Sequence, residues 1–214
     1  IHCWTRSGQR PWERELNMRE MIRLLVTIAV FSAVSGGLLT VIQSGTKGRI
    51  EYQQLKFVKG PAIQQILEGC SNNPLVDRFK LKDGEKQRTF FIGVFDDKAN
   101  TVALESFGKG FSGDIGVIVA VNTEDDKIVG IGVTTHSETP GLGSKAKTEA
   151  GFSGQFKGLP IKEPFKVKAD GGQIDSVSGA TISSRGVCGA IVDSANTYAR
   201  LKPEIIKKLK AFKK

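Results

Sequence analysis

The first pattern along the chain is an uninterrupted apolar stretch. Leu24 to Ile42 is 19 residues without a charge (LLVTIAVFSAVSGGLLTVI). That length matches a helix crossing the hydrocarbon core of a bilayer. Small residues at Ala33-Val34-Ser35 resemble a signal-cleavage site, but the apolar run continues past them to Ile42, which favours an anchor. Five arginines, Arg6, Arg10, Arg14, Arg19 and Arg23, precede the run, and only Lys47 and Arg49 follow closely. That bias predicts a cytoplasmic N-terminus. Met18-Arg19-Glu20-Met21-Ile22-Arg23 reads as a natural start, leaving 1–17 as either an upstream extension or added sequence.

Beyond a short Gly/Ser/Thr linker at 43–48 the patterns are shorter. Pro61 to Gly69 predicts a helix, with Pro in its first turn, Ile63, Ile66 and Leu67 on one face, and Gly69 as its stop. Thr89–Phe95 and Thr101–Phe107 predict strands. Asp114–Val121 is a nearly continuous apolar strand, and Lys127–Thr135 pairs with it across the polar turn Asn122–Asp126. Ser144–Glu149 predicts a short helix, and Lys162–Val167 and Gln173–Val177 predict short strands. Ser183–Leu201 predicts the longest helix of this region, with Val187, Ile191, Ala195 and Tyr198 at helical spacing. The expected class is α+β: an antiparallel sheet with flanking helices behind a single transmembrane helix. The expected organisation is a cytoplasmic segment at 1–23, a membrane helix at 24–42, an extracytoplasmic domain at 43–202 and a basic tail at 203–214.

Composition narrows this only slightly. Of 214 residues, 39% are hydrophobic and 25% charged, so the chain has enough apolar material for a core. The net charge of +9 is concentrated at the two ends. Without a basic stripe interleaved with aromatics, nucleic acid is not an expected partner. Three scattered cysteines, Cys3, Cys70 and Cys188, form no metal-ligand spacing, so no metal site is expected. Beyond residue 2, His136 is the single histidine. The chain therefore offers no catalytic dyad, and no catalytic residue is expected.

The candidate chemistry sits in two loops of small residues, each read as leading into a helix. The second, Asp175-Ser176-Val177-Ser178-Gly179-Ala180-Thr181, carries hydroxyls at Ser178, Thr181, Ser183 and Ser184 beside minimal side chains. A helix start with free N–H groups is a phosphate site, although Ser/Thr caps produce the same letters. The first, Glu138-Thr139-Pro140-Gly141-Leu142-Gly143, combines Pro140 with two glycines. It reads equally as a tight connection or as a surface for a planar ligand.

Together, in this order, the two loops resemble the FMN-binding domain of two related families. These are the G subunits of Rnf-type ferredoxin:NAD oxidoreductases and the C subunits of sodium-pumping NADH:quinone reductases. The resemblance runs from about Met18 to Lys202, and the Rnf-type family is the closer match. It implies FMN bonded through its phosphate to Thr181, attached by a separate flavin transferase that reads Asp175 to Thr181. Ser178, Gly179, Ala180 and Ser183 are then expected around the phosphate, with Lys145 or Arg185 as added charge. Glu138, Thr139, Gly141, Leu142 and Gly143 are expected to seat or tune the ring.

The resemblance further implies an electron-carrier subunit in a bacterial cytoplasmic-membrane complex. Its partners would be integral membrane and iron–sulfur subunits, and its electron transfer would be coupled to Na+ or H+ movement. A non-redox assembly module and a free-standing flavin reductase are the competing readings.

Overall fold

The computed structural model describes residues 18–212. Residues 1–17, which include Arg6, Arg10 and Arg14 and precede the expected natural start, lie outside the described residues.

The chain divides into two units, the first ending at Glu51 and the second beginning at Tyr52. The described part of the first is formed by helix α1 (Met18–Gln53), whose last two residues belong to the second unit and which has no buried residue. It is long and apolar enough to cross a membrane. At about 1.5 Å per residue its 36 residues exceed the roughly 30 Å hydrocarbon thickness. The expected linker at 43–48 is helical. Its glycines lower helix propensity but do not forbid a helix, and Thr46 returns its hydroxyl to the Ile42 carbonyl at 2.8 Å.

In the second unit the end of α1 is followed by a π-helical stretch, Gln54–Lys59, that runs into α2 (Gly60–Ile66). A five-stranded meander follows: β1 (Arg78–Asp83), β2 (Lys86–Phe95), β3 (Lys98–Lys109), β4 (Asp114–Asn122) and β5 (Lys127–Val133). Every neighbouring pair is antiparallel and spatial order equals chain order. The turns explain the simple topology. Asp96 and Asp97 both take positive φ between β2 and β3, the geometry of a two-residue hairpin loop. Gly84 does the same at φ +64° between β1 and β2. After the sheet come two single-turn helices, α3 (Lys145–Thr148) and α4 (Ala150–Gly154), and then the long α5 (Thr181–Ala211).

Strand alternation gives the sheet two buried faces. One carries Val102, Leu104, Val117, Val119 and Val121 into a core with Val187, Ile191 and Tyr198 of α5. The other carries Phe91, Ala103, Ile118 and Ala120 against Ile63 and Leu67. This double burial is why β4 reads as a continuous apolar run. Helix α5 meets β3 at backbone distance: a Cβ on Gly108 would lie 1.8 Å from the Gly186 carbonyl oxygen. Further along, Asp126 accepts from Tyr198 Oη at 2.8 Å and from Lys202 Nζ at 2.6 Å. Arg200 donates to Asp83 at 2.8 Å.

Three further readings differ from the structure. Strand β1 is absent from the sequence reading, because Arg78-Phe79-Lys80-Leu81-Lys82-Asp83 is a charged edge strand with a single buried side chain, Leu81. The segments 162–167 and 173–177 are not strands. They form a loop joined by one isolated bridge, Val167 to Ile174, with Phe165, Val167, Ile174 and Val177 buried as anchors. Finally, residues 203–211 continue α5 through Pro203. Ile205 and Leu209 are buried there, and that apolar contact offsets the backbone hydrogen bond a proline removes. Cys70 and Cys188 are both free thiols, and burial pushes the Cys188 thiol up to about 11.

Candidate functional site around the start of helix α5

The loop before α5 is shaped by its own backbone. The Val177 N–H donates to Ser184 Oγ at 3.0 Å, and that hydroxyl donates to the Ala180 carbonyl at 3.0 Å. The Ala180 N–H donates to the Val177 carbonyl at 2.9 Å, closing a turn over Ser178 and Gly179. Gly179 takes φ +75°, a conformation that disfavours any residue with a Cβ. Ser178 and Gly179 are thereby exposed, Ala180 is buried and Thr181 is half-buried at the first helical position.

No side chain caps this helix, and its N-cap residue is Ala180. Alanine there costs about 1 kcal/mol against Ser, Thr, Asn or Asp. The Ser/Thr-cap alternative is therefore not what these residues build. Ser184 is engaged by the loop behind it and Ser183 turns elsewhere. The opening turn keeps N–H groups and its positive dipole end for an anion.

The other loop comes to the same place. Leu142 and Ser144 donate their N–H groups to the Thr139 carbonyl at 3.2 and 3.3 Å. Gly141, at φ +74°, donates to Ser144 Oγ at 2.9 Å. Thr139, Gly141 and Leu142 are exposed. A Cβ on Gly179 would stand 2.9 Å from Leu142 Cδ1, so the two loops touch.

Glu138 is not exposed with its neighbours. It is 6% accessible. Its Oε2 accepts from Ser183 Oγ, and its Oε1 accepts from the Ser112 N–H at 2.9 Å. Burial alone would raise its pKa. The hydrogen bonds from Ser183, Ser112 and Phe111, with His136 nearby, outweigh burial and hold the carboxyl below its ordinary 4.5. Two glycines make room: a Cβ on Gly143 would be 2.6 Å from Oε2, and one on Gly110 would be 2.5 Å from Oε1. Sequence reasoning missed Gly110 and Ser112, in the β3–β4 turn. The Gly110-Phe111-Ser112-Gly113 cluster signals a turn but not what the turn holds.

Two other expected residues, Asp175 and Arg185, are engaged by partners outside the two loops. Asp175 is exposed and its carboxylate pairs with Lys168 at 2.7 Å, while its backbone N–H and carbonyl both bond the Gln155 side chain. Arg185 is taken up by a two-pronged pair with Asp170, both contacts 2.7 Å, so it does not supply charge at the loop. Lys145 opens α3, half-buried. His136 carries a buried Nδ1 without a hydrogen-bond partner. No cluster of potential metal ligands occurs among the described residues.

A family model described as an FMN-binding domain matches residues 110–196, which span both loops and the β3–β4 turn. The G subunit of the ion-translocating oxidoreductase complex of Methanosarcina acetivorans is 34% identical over 81% of this chain and 92% of its own. This chain belongs to that G-subunit family. The Erwinia tasmaniensis relative is 36% identical over 78% of this chain and 84% of its own, and the Pseudomonas aeruginosa relative 33% over 81% and 86%. A solved structure of the C subunit of the Na(+)-translocating NADH-quinone reductase from Parabacteroides distasonis shares the fold. Its TM-score is 0.50 at 24% identity, over 64% of this chain and 88% of that one. This member of the G-subunit family is thus an FMN-binding protein with a membrane anchor, and other subunits of its complex are its partners.

The Glu138 environment fixes a pH dependence. A carboxyl whose folded pKa lies below its unfolded value adds stability above the unfolded value, near 4.5, and loses it as pH falls through the folded one. The stability gap between wild type and Glu138→Gln should be level at neutral pH and shrink only below that value. Urea midpoints of the detergent-solubilised chain at stepped pH test this; a gap unchanged into strong acid would contradict it.

Proposed function

We propose that this chain is the membrane-anchored electron-carrier subunit of an Rnf-type ferredoxin:NAD oxidoreductase, holding FMN covalently through a phosphoester to Thr181. The observation that carries the reading is the uncapped start of α5, with Thr181 half-buried at its first position and the Leu142 loop against Gly179. A phosphodiester keeps about one negative charge, which a helix N-terminus stabilises by roughly 0.3–1 kcal/mol at an exposed site. Ala180 and Gly179 keep side chains off the approach, and the Thr181 hydroxyl supplies the ester oxygen. Leu142, exposed beside the turn, offers an apolar contact for the ring, and Thr139 and Gly141 offer backbone groups.

The flavin, when bound, supplies the electron-transfer chemistry itself. The residues of this chain bind and orient it. Asp175 is exposed and so accessible to a flavin transferase reading the Asp175–Thr181 segment. Electrons must arrive and leave through other subunits, which fits membership in a multi-subunit complex.

Two measurements test the assignment. The complex, solubilised in mild detergent and isolated through this chain, should catalyse ferredoxin:NAD electron transfer, and Thr181→Val should abolish it while the subunits still co-purify. Activity kept in full by the variant would remove Thr181 from the electron path and favour an assembly module. NADH:quinone activity lost in its place would move the chain to the sodium-pumping class. For orientation, the arginines before the apolar run favour an FMN domain outside the cytoplasm. Protease added to spheroplasts should digest the domain from Tyr52 onward; a protected domain would reverse the topology.

A further inference from the structure

The contacts of Glu138 differ in kind from those of its loop neighbours. Thr139, Gly141 and Leu142 are exposed, whereas both carboxylate oxygens of Glu138 are occupied within a buried side chain. Its partners come from two other chain segments. Ser112 belongs to the tip between β3 and β4, and Ser183 is the third residue of α5, two positions beyond Thr181. Gly110 and Gly143 are shaped around the same carboxylate, since a Cβ at either would come within 2.6 Å of one of its oxygens. A side chain at either glycine would displace the carboxylate.

We infer that Glu138 is a positioning residue for flavin attachment: through Ser183 it fixes the first turn of α5, and with it the Thr181 hydroxyl, against the 139–143 loop. This role rests on Thr181 as the attachment point. The physical reason is directional. A helix start without a capping side chain is free to fray over its first turn. Ser183 Oγ held by a buried carboxylate replaces the missing cap with a tie to the neighbouring loop. A hydrogen bond to a buried acceptor held from its other side is directional, so this tie limits where the Thr181 oxygen can be. Engaging Ser183 with Glu138 also leaves the N–H groups of the turn to the phosphate.

Attachment forms a bond from Thr181 Oγ to the flavin-side phosphorus of a flavin adenine dinucleotide. It breaks the anhydride bond, AMP leaves with that electron pair, and the threonine proton passes to a base on the transferase. Misplacement of the oxygen slows this step without altering how the transferase grips the exposed Asp175 segment.

The test is the initial rate of attachment to the full-length apo chain in detergent, with transferase and flavin adenine dinucleotide, read as fluorescence of the denatured protein. Four variants are compared with the wild type: Glu138→Ala, Glu138→Gln, Ser183→Ala and Thr181→Val. Glu138→Ala and Ser183→Ala should lower the maximal rate about tenfold or more with an unchanged KM for the apo chain. Glu138→Gln should recover to within about threefold, because its Oε1 accepts from Ser112 and its amide N–H donates to Ser183 Oγ. Melting curves record whether each variant is folded. If Glu138→Ala unfolds, Ser183→Ala, which removes one oxygen, decides.

Wild-type rates in a folded Ser183→Ala would overturn the inference. So would a Glu138→Gln variant as slow as Glu138→Ala, which would assign the effect to charge rather than position. Labelling of Thr181→Val equal to wild type would defeat the attachment assignment itself, a result distinguishable from either.

Discussion

A carboxylate inside a protein is a liability unless its oxygens are met. The desolvation penalty is several kcal/mol, and roughly 1.5–3 kcal/mol returns with each hydrogen bond to the charged group. Glu138 satisfies this condition by drawing donors from two distant segments, the Ser112 backbone and the Ser183 hydroxyl. These partners lie 26 and 45 residues away along the chain, so three separate segments meet at one point. The glycines at 110 and 143 follow from that point, because any Cβ there would collide with the carboxylate. So does the arrangement of the exposed residues. With Glu138 pinned, Leu142 reaches Gly179, and the turn before α5 closes against it.

That junction needs a rigid support, and α5 supplies it. The helix is tied in its second half by Asp126 to Tyr198 and Lys202, and by Asp83 to Arg200. Nearer the site it presses on β3 at Gly108 and Gly186 with no side chain between. Close backbone packing of this kind leaves little room for sliding. The first turn is then the one part of the helix whose direction is decided locally, by Ser184 behind it and Ser183 beside it. A cofactor held on such a turn would inherit the orientation of the whole sheet-and-helix frame.

The apolar run at 24–42, the β4–β5 hairpin and the long final helix are legible in the sequence, because each presents a continuous apolar face or run. The two loops are legible as a pair, and their touching at Leu142 and Gly179 gives that pairing a physical form. Other features are not legible. The edge strand β1 alternates Lys and Arg with Phe79 and Leu81, a pattern too polar to separate from a loop. The segments at 162–177 bury apolar side chains without pairing as strands, and composition does not distinguish the two. Pro203 looks like a terminator, yet Ile205 and Leu209 continue the buried face. Glu138 looks like a ligand-facing residue because its neighbours are exposed small residues. Its partners, Ser112 and Ser183, lie too far along the chain for any local pattern to connect them.

Everything proposed for the site depends on one atom, the Thr181 hydroxyl oxygen. The direct measurement is to digest the yellow protein, isolate the fluorescent peptide and fragment it by mass spectrometry. The expected result is the added mass of FMN less one water on Thr181, within the peptide that carries Ser178-Gly179-Ala180, and no fluorescent peptide from Thr181→Val. A flavin mapped to another residue, or released intact when the protein is denatured, would contradict it.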